Sequence, residues 1–274
     1  MSVTAPRDGS RLILSLQGGL WALSPQGGSA KRLTSEYLEP VRPDYSPDGK
    51  TVAFQAFKGG TFHIWTMNAE GGNLKQLTTG HGDDREPRWS PDGSKIAFSS
   101  DRAFQGSYDV WIVEVATGKL TQLTSSPADE YEPARSPDGA EIAFISGTGA
   151  NGTAIEAMNL SGGQRTLITA PTGAHLHSPS FSPDSKLLSY TQFAEGKSEL
   201  YVSGKRVGSA EDVFPFPLRG CLRTSFCTPP TVRFKSQSSG AARPQQSRLK
   251  PSSPSTASLT AASISTSNPT QSGP

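Results

Sequence analysis

The sequence predicts an all-β fold, a β-propeller built from four-stranded blades. Three observations indicate it: the composition, a repeat of nearly constant length, and a fixed order of short apolar runs within each repeat. Only 34% of the 274 residues are hydrophobic, whereas Gly (28) and Pro (22) are abundant. This balance favours many short strands and turns over long helices.

The turn sequence SPDG marks the repeat. Its proline recurs in four copies, at Pro47, Pro91, Pro137 and Pro183. The steps between them are 44, 46 and 46 residues. A degenerate earlier copy, PRDGSRLILSL, raises the number of starts to five. Ser at the first position, Pro at the second and Gly at the fourth suit a type I turn.

Each repeat keeps the same order of elements. A run such as TVAFQ or KIAFS follows the turn, and a second run such as IWTMN or VWIVE comes next. After a glycine turn comes a third run (KRLT, KQLT, TQLT, TLIT), and a polar loop then leads to a fourth run before the next SPDG. Four short runs divided by turn residues predict four antiparallel strands. Repeats of this length with four strands are typical of propeller blades.

The number of complete blades follows from the same pattern. The last copy has Ser185 in place of the turn glycine and lacks a QLT run. We therefore expect four fairly complete blades and a partial fifth.

The pattern EPRWSPDGSKIAF, continued by DVWIVEVATGKLTQLT, resembles the repeat of TolB-like propellers. The resemblance covers residues 1–219, which we expect to form an incomplete propeller domain, and it is specific for fold but weak for function. Similar blades occur in TolB, a periplasmic partner of the Tol–Pal envelope system, and ahead of the hydrolase domain in prolyl-oligopeptidase-like peptidases and metal-dependent amidohydrolases. The ending EDVFPFPLR and the opening LQGGLWALSPQGG are most similar to the amidohydrolase-linked version.

Every propeller feature stops after Arg219. Residues 221–274 contain six Lys or Arg and no Asp or Glu, a charge of +6, so the first 220 residues carry −4 of the net +2. A composition rich in Ser, Thr and Pro predicts that residues 220–274 are a disordered, low-complexity tail. Two interpretations stay open: a natural linker, and out-of-frame translation after a frame disruption near Gly220 that truncates the propeller.

Charge and hydropathy bear on partners and compartment. The acidic body gives no electrostatic case for binding nucleic acid. No run approaches the ~20 apolar residues of a membrane-spanning helix, so no membrane span is predicted. The N-terminal sequence MSVTAPRDGSR lacks the apolar core of a secretory signal. As written, the chain is expected in the cytoplasm, although TolB-like relatives are often exported.

Motifs for catalysis are missing from the sequence. It contains no GxSxG elbow, no glycine loop leads from a strand into a helix as in phosphate-binding sites, and its four histidines fit no nucleophile–base pattern. The pair His175 and His177 has the His-x-His spacing of an amidohydrolase metal site. It falls before the inner strand of a blade, however, whereas those enzymes need it at the end of a barrel strand. We expect no catalytic residue, no metal and no cofactor in this chain.

Polar residues recur at equivalent offsets before the inner strands. Radial repetition would gather them around one mouth of the central channel. A protein partner or a fused hydrolase domain would meet them there; the alternative is a solvated rim that binds nothing. The candidates are Arg42, Asp44, Asp84, Arg85, Glu86, Glu130, Glu132 and His177.

The leading hypothesis is a non-catalytic β-propeller module for protein interaction or substrate gating. One alternative is the severed N-terminal part of a metal-dependent amidohydrolase or prolyl-oligopeptidase-like fusion enzyme. A second alternative is a periplasmic TolB-type scaffold.

Overall fold

The structure, a computed structural model, describes residues 2–147 and 152–210. These residues form β-strands and one short 3-10 helix, Glu36–Leu38. The predicted tail at 220–274 and the predicted domain end at 219 lie outside the described residues. Within the described ranges no helix has the length and apolar character needed to cross a bilayer.

The strands form five antiparallel sheets of four strands, each following chain order from the inner to the outer strand. Blade 1 contains β1 (Val3–Thr4), β2 (Leu12–Leu16), β3 (Gly19–Leu23) and β4 (Lys31–Arg32). Blade 2 contains β5 (Val41–Tyr45), β6 (Thr51–Lys58), β7 (Thr61–Asn68) and β8 (Lys75–Gln76). Blade 3 contains β9 (Asp84–Trp89), β10 (Lys95–Phe104), β11 (Ser107–Glu114) and β12 (Leu120–Gln122). Blade 4 contains β13 (Glu130–Arg135), β14 (Glu141–Gly147), β15 (Thr153–Asn159) and β16 (Arg165–Thr169). Blade 5 contains β17 (His175–Phe181), β18 (Leu188–Ala194), β19 (Lys197–Val202) and β20 (Lys205–Ala210).

Each SPDG turn joins the first two strands of a blade. In blade 2 the N–H of Gly49 donates to the carbonyl of Ser46 at 2.9 Å, and the hydroxyl of Ser46 donates to Asp48 Oδ1 at 2.6 Å. Across the turn, Tyr45 pairs with Val52. The run that closes a sequence repeat is therefore the inner strand of the next blade. The inner strands β1, β5, β9, β13 and β17 contact one another in that order.

The prediction of a partial fifth blade was wrong, because blade 5 has all four strands. Ser185 takes the turn position with φ of 62°, and its N–H donates to the carbonyl of Ser182 at 2.9 Å. The outer strand is β20, where Leu200 pairs with Gly208 instead of with a residue of a QLT run. An outer strand needs only backbone groups along one edge, so its sequence is free to depart from the motif.

The repeated Ala-Phe dipeptide builds the cores between blades. Alternate side chains of a strand point to opposite faces, so the alanine faces the next blade and the aromatic residue faces the preceding one. Ala53 packs in one cluster with Phe98, Ala97 with Phe144, and Ala143 with Tyr190. A small side chain on one blade thus packs against a large side chain from the next blade. This large-to-small packing explains why the repeat keeps both residues.

Candidate functional site

Four inner strands carry a bulge at one repeated position. The residue five positions before the SPDG proline has left-handed backbone geometry at Arg42 (φ 55°), Glu86 (φ 59°), Glu132 (φ 50°) and Ser178 (φ 54°). The ladder with the neighbouring strand shifts register at each of these points. A proline follows each one in the sequence. Because proline has no N–H to donate, a break in the ladder accommodates it.

The bulges join successive blades through backbone N–H groups. The N–H of Arg42 donates to Ser2 Oγ at 2.9 Å, and that of Glu86 donates to Gln55 Oε1 at 2.7 Å. The N–H of Glu132 donates to Glu86 Oε2 at 2.7 Å and to Ser99 Oγ at 3.1 Å. Each bond crosses from one blade to the one before it. The bulge therefore costs a ladder bond within the blade and gains one between blades.

Blade 5 is joined to blade 4 by a carboxylate. The side chain of Ile145 in blade 4 occupies the position of Gln55 and Ser99, so it offers no acceptor. The N–H of Ser178 donates instead to Glu132 Oε2. The same residue, Glu132, thus donates its N–H to blade 3 and accepts a bond from blade 5.

Side chains from these bulges meet in a charged cluster, which we define as Arg42, Glu86, Glu132 and His177. Arg42 Nη2 lies 3.0 Å from Glu132 Oε1 and 3.9 Å from Glu86 Oε1. His177 Nδ1 lies 3.9 Å from the same Glu132 oxygen. The side chain of Glu132 is 4% exposed, whereas those of Arg42 and His177 are 28% and 33% exposed. The carboxylates lie underneath and the basic groups reach solvent.

Opposite pKa shifts distinguish the two carboxylates. Burial raises the pKa of Glu86, and the nearby negative charge of Glu132 raises it further against the opposing charge of Arg42. Burial would also raise the pKa of Glu132, but the contacts with His177 and Arg42 and the N–H of Ser178 lower it overall. Glu132 is thus the firmly ionised partner of Arg42. Of the two carboxylates, that of Glu86 takes up a proton more readily.

Asp44 has a different environment from the one predicted. It is buried, and its Oδ2 accepts the N–H of Trp89 at 2.9 Å. The indole N–H of Trp89 donates to the carbonyl of Asp44 at 3.1 Å. Asp44 therefore holds the inner strands of blades 2 and 3 together.

Asp84 and Glu130 occupy equivalent buried positions and each binds an arginine. Both carboxylate oxygens of Asp84 accept from Arg102 Nη2 at 2.6 Å, and the hydroxyl of Ser100 donates to Oδ1 at 2.6 Å. Glu130 pairs with Arg165. The acid side chains are 0% and 1% exposed, so both are shielded from solvent. They act as buried ion pairs between strands.

Arg85 lies apart from the charged cluster. Its Nε and Nη2 atoms lie 2.8 and 2.6 Å from Asp83 Oδ2, and its guanidinium contacts the rings of Phe62 and Tyr108. The prediction that the eight candidates precede the inner strands was wrong, because all of them lie within those strands. Of the eight, the structure brings together Arg42, Glu86, Glu132 and His177. Whether any of the eight binds a partner stays a prediction.

Sequence reasoning missed the acceptors of the N–H bonds, Gln55 and Ser99. A signal for them was present, because both occupy the same position after the turn, where a polar residue directly follows the Ala-Phe pair. The repeated proline after each bulge was a second signal. Among the described residues, no group of three or more His, Cys, Asp or Glu is arranged to hold a metal ion.

Comparison with known proteins gives one family match. The model of the TolB beta propeller domain matches residues 26–211. No curated protein matches the sequence.

Solved structures share the architecture. The putative TolB from Agrobacterium tumefaciens has a TM-score of 0.69 at 21% identity, covering 79% of this chain and 84% of that one. TolB from Acinetobacter baumannii has a TM-score of 0.64 at 22% identity, covering 79% and 56%. A puromycin hydrolase has a TM-score of 0.58 at 16% identity, and the match covers 78% of this chain but 38% of the hydrolase. At these identities the likeness shows the fold alone.

The family match spans more than half of the chain. It agrees with the four-stranded blades, the SPDG turns and the order of the inner strands described above. The chain therefore belongs to the TolB β-propeller domain family.

Proposed function

We propose that this chain is a non-catalytic β-propeller module that binds a protein partner at the end of the blades where the inner strands begin. The observation that carries the proposal is the charged cluster. Its members come from four consecutive blades, and backbone bonds between those blades fix them. A surface whose side chains are already ordered loses little entropy on binding, which favours affinity.

The exposure of the cluster supports the same reading. Arg42 and His177 are its most exposed side chains, at 28% and 33%, and both contact the buried Glu132. A partner approaching this end therefore meets nitrogen groups that can donate hydrogen bonds. Carboxylates and backbone carbonyls of a protein segment are suitable acceptors.

Selection from a random 12-residue peptide library against the immobilised full chain tests the proposal. We expect one family of related peptides to be enriched and to bind with a micromolar Kd in isothermal titration calorimetry. Failure to enrich any family would contradict it. So would amide hydrolysis by the purified chain after incubation with divalent metal ions, because the proposal gives the chain no catalytic site.

A second candidate is a substrate-gating propeller belonging to a hydrolase. The match to the puromycin hydrolase favours it, since that chain is much longer than the part that this propeller resembles. The amidohydrolase-linked form predicted from the sequence is one version of this candidate. Sequencing the nucleotides past the codon for Gly220 tests it. An open frame encoding histidine and aspartate metal motifs would support it, and a frame without a hydrolase domain would count against it.

A further inference from the structure

The hairpins of blades 2 and 3 carry aromatic rings around Arg85. Phe57 and Phe62 pair edge to face with ring centroids 5.3 Å apart and an interplanar angle of 62°. The guanidinium carbon of Arg85 lies 5.0 Å from the centroid of Phe62 and 5.8 Å from that of Tyr108. We call these four residues, Phe57, Phe62, Arg85 and Tyr108, the aromatic–arginine patch.

Asp83 fixes the patch from beneath. Its Oδ1 accepts the N–H of Phe62 at 2.9 Å, and its Oδ2 accepts the hydroxyl of Tyr108 at 2.7 Å. The same Oδ2 accepts Arg85 Nε at 2.8 Å. The side chain of Asp83 is 18% exposed and its oxygens are occupied by these donors. Three members of the patch are therefore ordered before any partner arrives.

The solvent side of the patch combines one edge of a guanidinium with apolar ring surface. The Arg85 side chain is 42% exposed and Phe57 is 40% exposed. Within the described part of the chain, Arg85 Nη1 makes no hydrogen bond, because Nε and Nη2 both face Asp83. A guanidinium that lies on aromatic rings and keeps a free donor matches a carboxylate. Arginine and aromatic side chains are also enriched at protein interfaces, and Arg and Tyr are enriched among the residues that carry most of the binding energy.

We propose that the aromatic–arginine patch docks an extended protein segment in which a carboxylate side chain lies next to an apolar one. The carboxylate binds Arg85 and the apolar side chain packs against the rings of Phe57 and Phe62. This inference rests on the proposed function and names the surface and the chemistry of the partner.

The peptide selection described above tests it when wild-type chain and variants are compared. We expect the enriched peptides to carry Asp or Glu within two positions of a large apolar residue. For a synthetic peptide of this family, Arg85→Gln raises the Kd about tenfold and Phe57→Ala about fivefold. Replacing the carboxylate of the peptide by its amide also raises the Kd about tenfold.

Two matched variants serve as controls. Arg11→Gln removes an arginine that is ion-paired with Glu70 at 2.6 Å at the SPDG end of the blades. Phe193→Ala removes a 46% exposed phenylalanine at the position in blade 5 equivalent to Phe57. Both are expected to leave the Kd within about twofold of wild type. Circular dichroism and urea unfolding establish that each variant is folded.

The outcomes separate this inference from the proposed function. Enriched peptides whose Kd is unchanged by Arg85→Gln and Phe57→Ala would overturn the inference, while the chain would still be a peptide-binding module. Enriched peptides without an acidic residue would overturn it in the same way. A selection that enriches no family would contradict both.

Discussion

Arg42 of blade 2 and Glu132 of blade 4 form an ion pair of 3.0 Å, although blade 3 lies between them in the chain. Glu86 of blade 3 lies 3.9 Å from the same Arg42 nitrogen, and Ser178 of blade 5 donates its N–H to Glu132. The buried carboxylate of Glu132 in blade 4 therefore links Arg42 of blade 2 to Ser178 of blade 5. The charged cluster holds the inner strands in register as well as forming part of the surface.

The first prediction compares the two carboxylates at neutral pH. Glu132→Gln leaves Arg42 without its ionised partner and weakens the acceptor of the Ser178 N–H, so we expect it to lower the free energy of unfolding by about 3 kcal/mol. Glu86→Gln keeps an oxygen for the N–H of Glu132 and removes a like charge, so its effect stays within about 1 kcal/mol. Urea unfolding of both variants at pH 7 measures the difference. Equal losses would show that the two carboxylates are not distinguished by their contacts.

The second prediction concerns pH. Because the folded pKa of Glu86 is raised above its ordinary value of 4.5, the folded state binds more protons than the unfolded state above that pH. The contribution of Glu86 to stability is therefore present below pH 4.5 and is lost as the pH rises through the folded pKa. Glu132 behaves in the opposite way, since its pKa is lowered and its contribution is lost as the pH falls below 4.5.

Unfolding free energies measured from pH 3 to pH 8 check both signs. Relative to wild type, Glu86→Gln should gain stability as the pH rises through the folded pKa of Glu86. Glu132→Gln should be most destabilised at neutral pH and approach wild type in acid. Parallel pH profiles for wild type and both variants would contradict the assignment of opposite shifts.

The third prediction tests the packing of large against small residues between blades. Phe144 is fully buried in a cluster with Ala97 of the preceding blade. Phe144→Ala removes the ring and leaves a cavity, so we expect a loss of about 3–5 kcal/mol. Ala97→Leu overfills the same space and should cost about 1–3 kcal/mol. The two changes made together should cost less than the sum of the single changes in urea unfolding, because the leucine occupies part of the cavity. Additive losses would mean that the two sites are not packed against each other.

The repeat allowed the fold to be predicted from the sequence because the same turn and the same apolar run recur with a fixed step. Side-chain direction was harder to predict. Asp84 and Glu86 are two residues apart on one inner strand, yet the bulge at Glu86 turns its carboxylate towards Arg42 while Asp84 binds Arg102. A left-handed residue inside a strand is decided by contacts with the neighbouring blade, such as the bond from its N–H to Gln55. The proline that follows is the only sign in the sequence of this left-handed residue.

Arg85 illustrates the other limit. Its offset from the SPDG proline grouped it with the candidate residues, and nothing local in the sequence indicates that it contacts Phe62 of another blade. That contact depends on the lengths of two hairpins and on Asp83, whose carboxylate binds both residues. Long-range pairs of this kind are set by the packing of whole blades.

The last prediction concerns the turn of blade 5. Ser185 holds a left-handed φ of 62° at a position where other blades have glycine, such as Gly139 with φ of 78°. A side chain in this region costs about 1–2 kcal/mol, which glycine avoids. Ser185→Gly loses one exposed hydrogen bond, from the N–H of Asp138 to Ser185 Oγ at 3.1 Å. We expect a net gain in stability of about 0.5–1 kcal/mol.

The reciprocal change, Gly139→Ser, has room for the new Cβ, whose nearest neighbour is a Pro91 side-chain carbon at 3.9 Å. Gly139→Ser is therefore expected to lower the free energy of unfolding by the cost of the left-handed backbone alone, about 1 kcal/mol. Thermal unfolding of the two variants should shift the Tm in opposite directions. A Ser185→Gly variant that melts below wild type would show that the serine hydroxyl contributes more to this turn than its backbone strain costs.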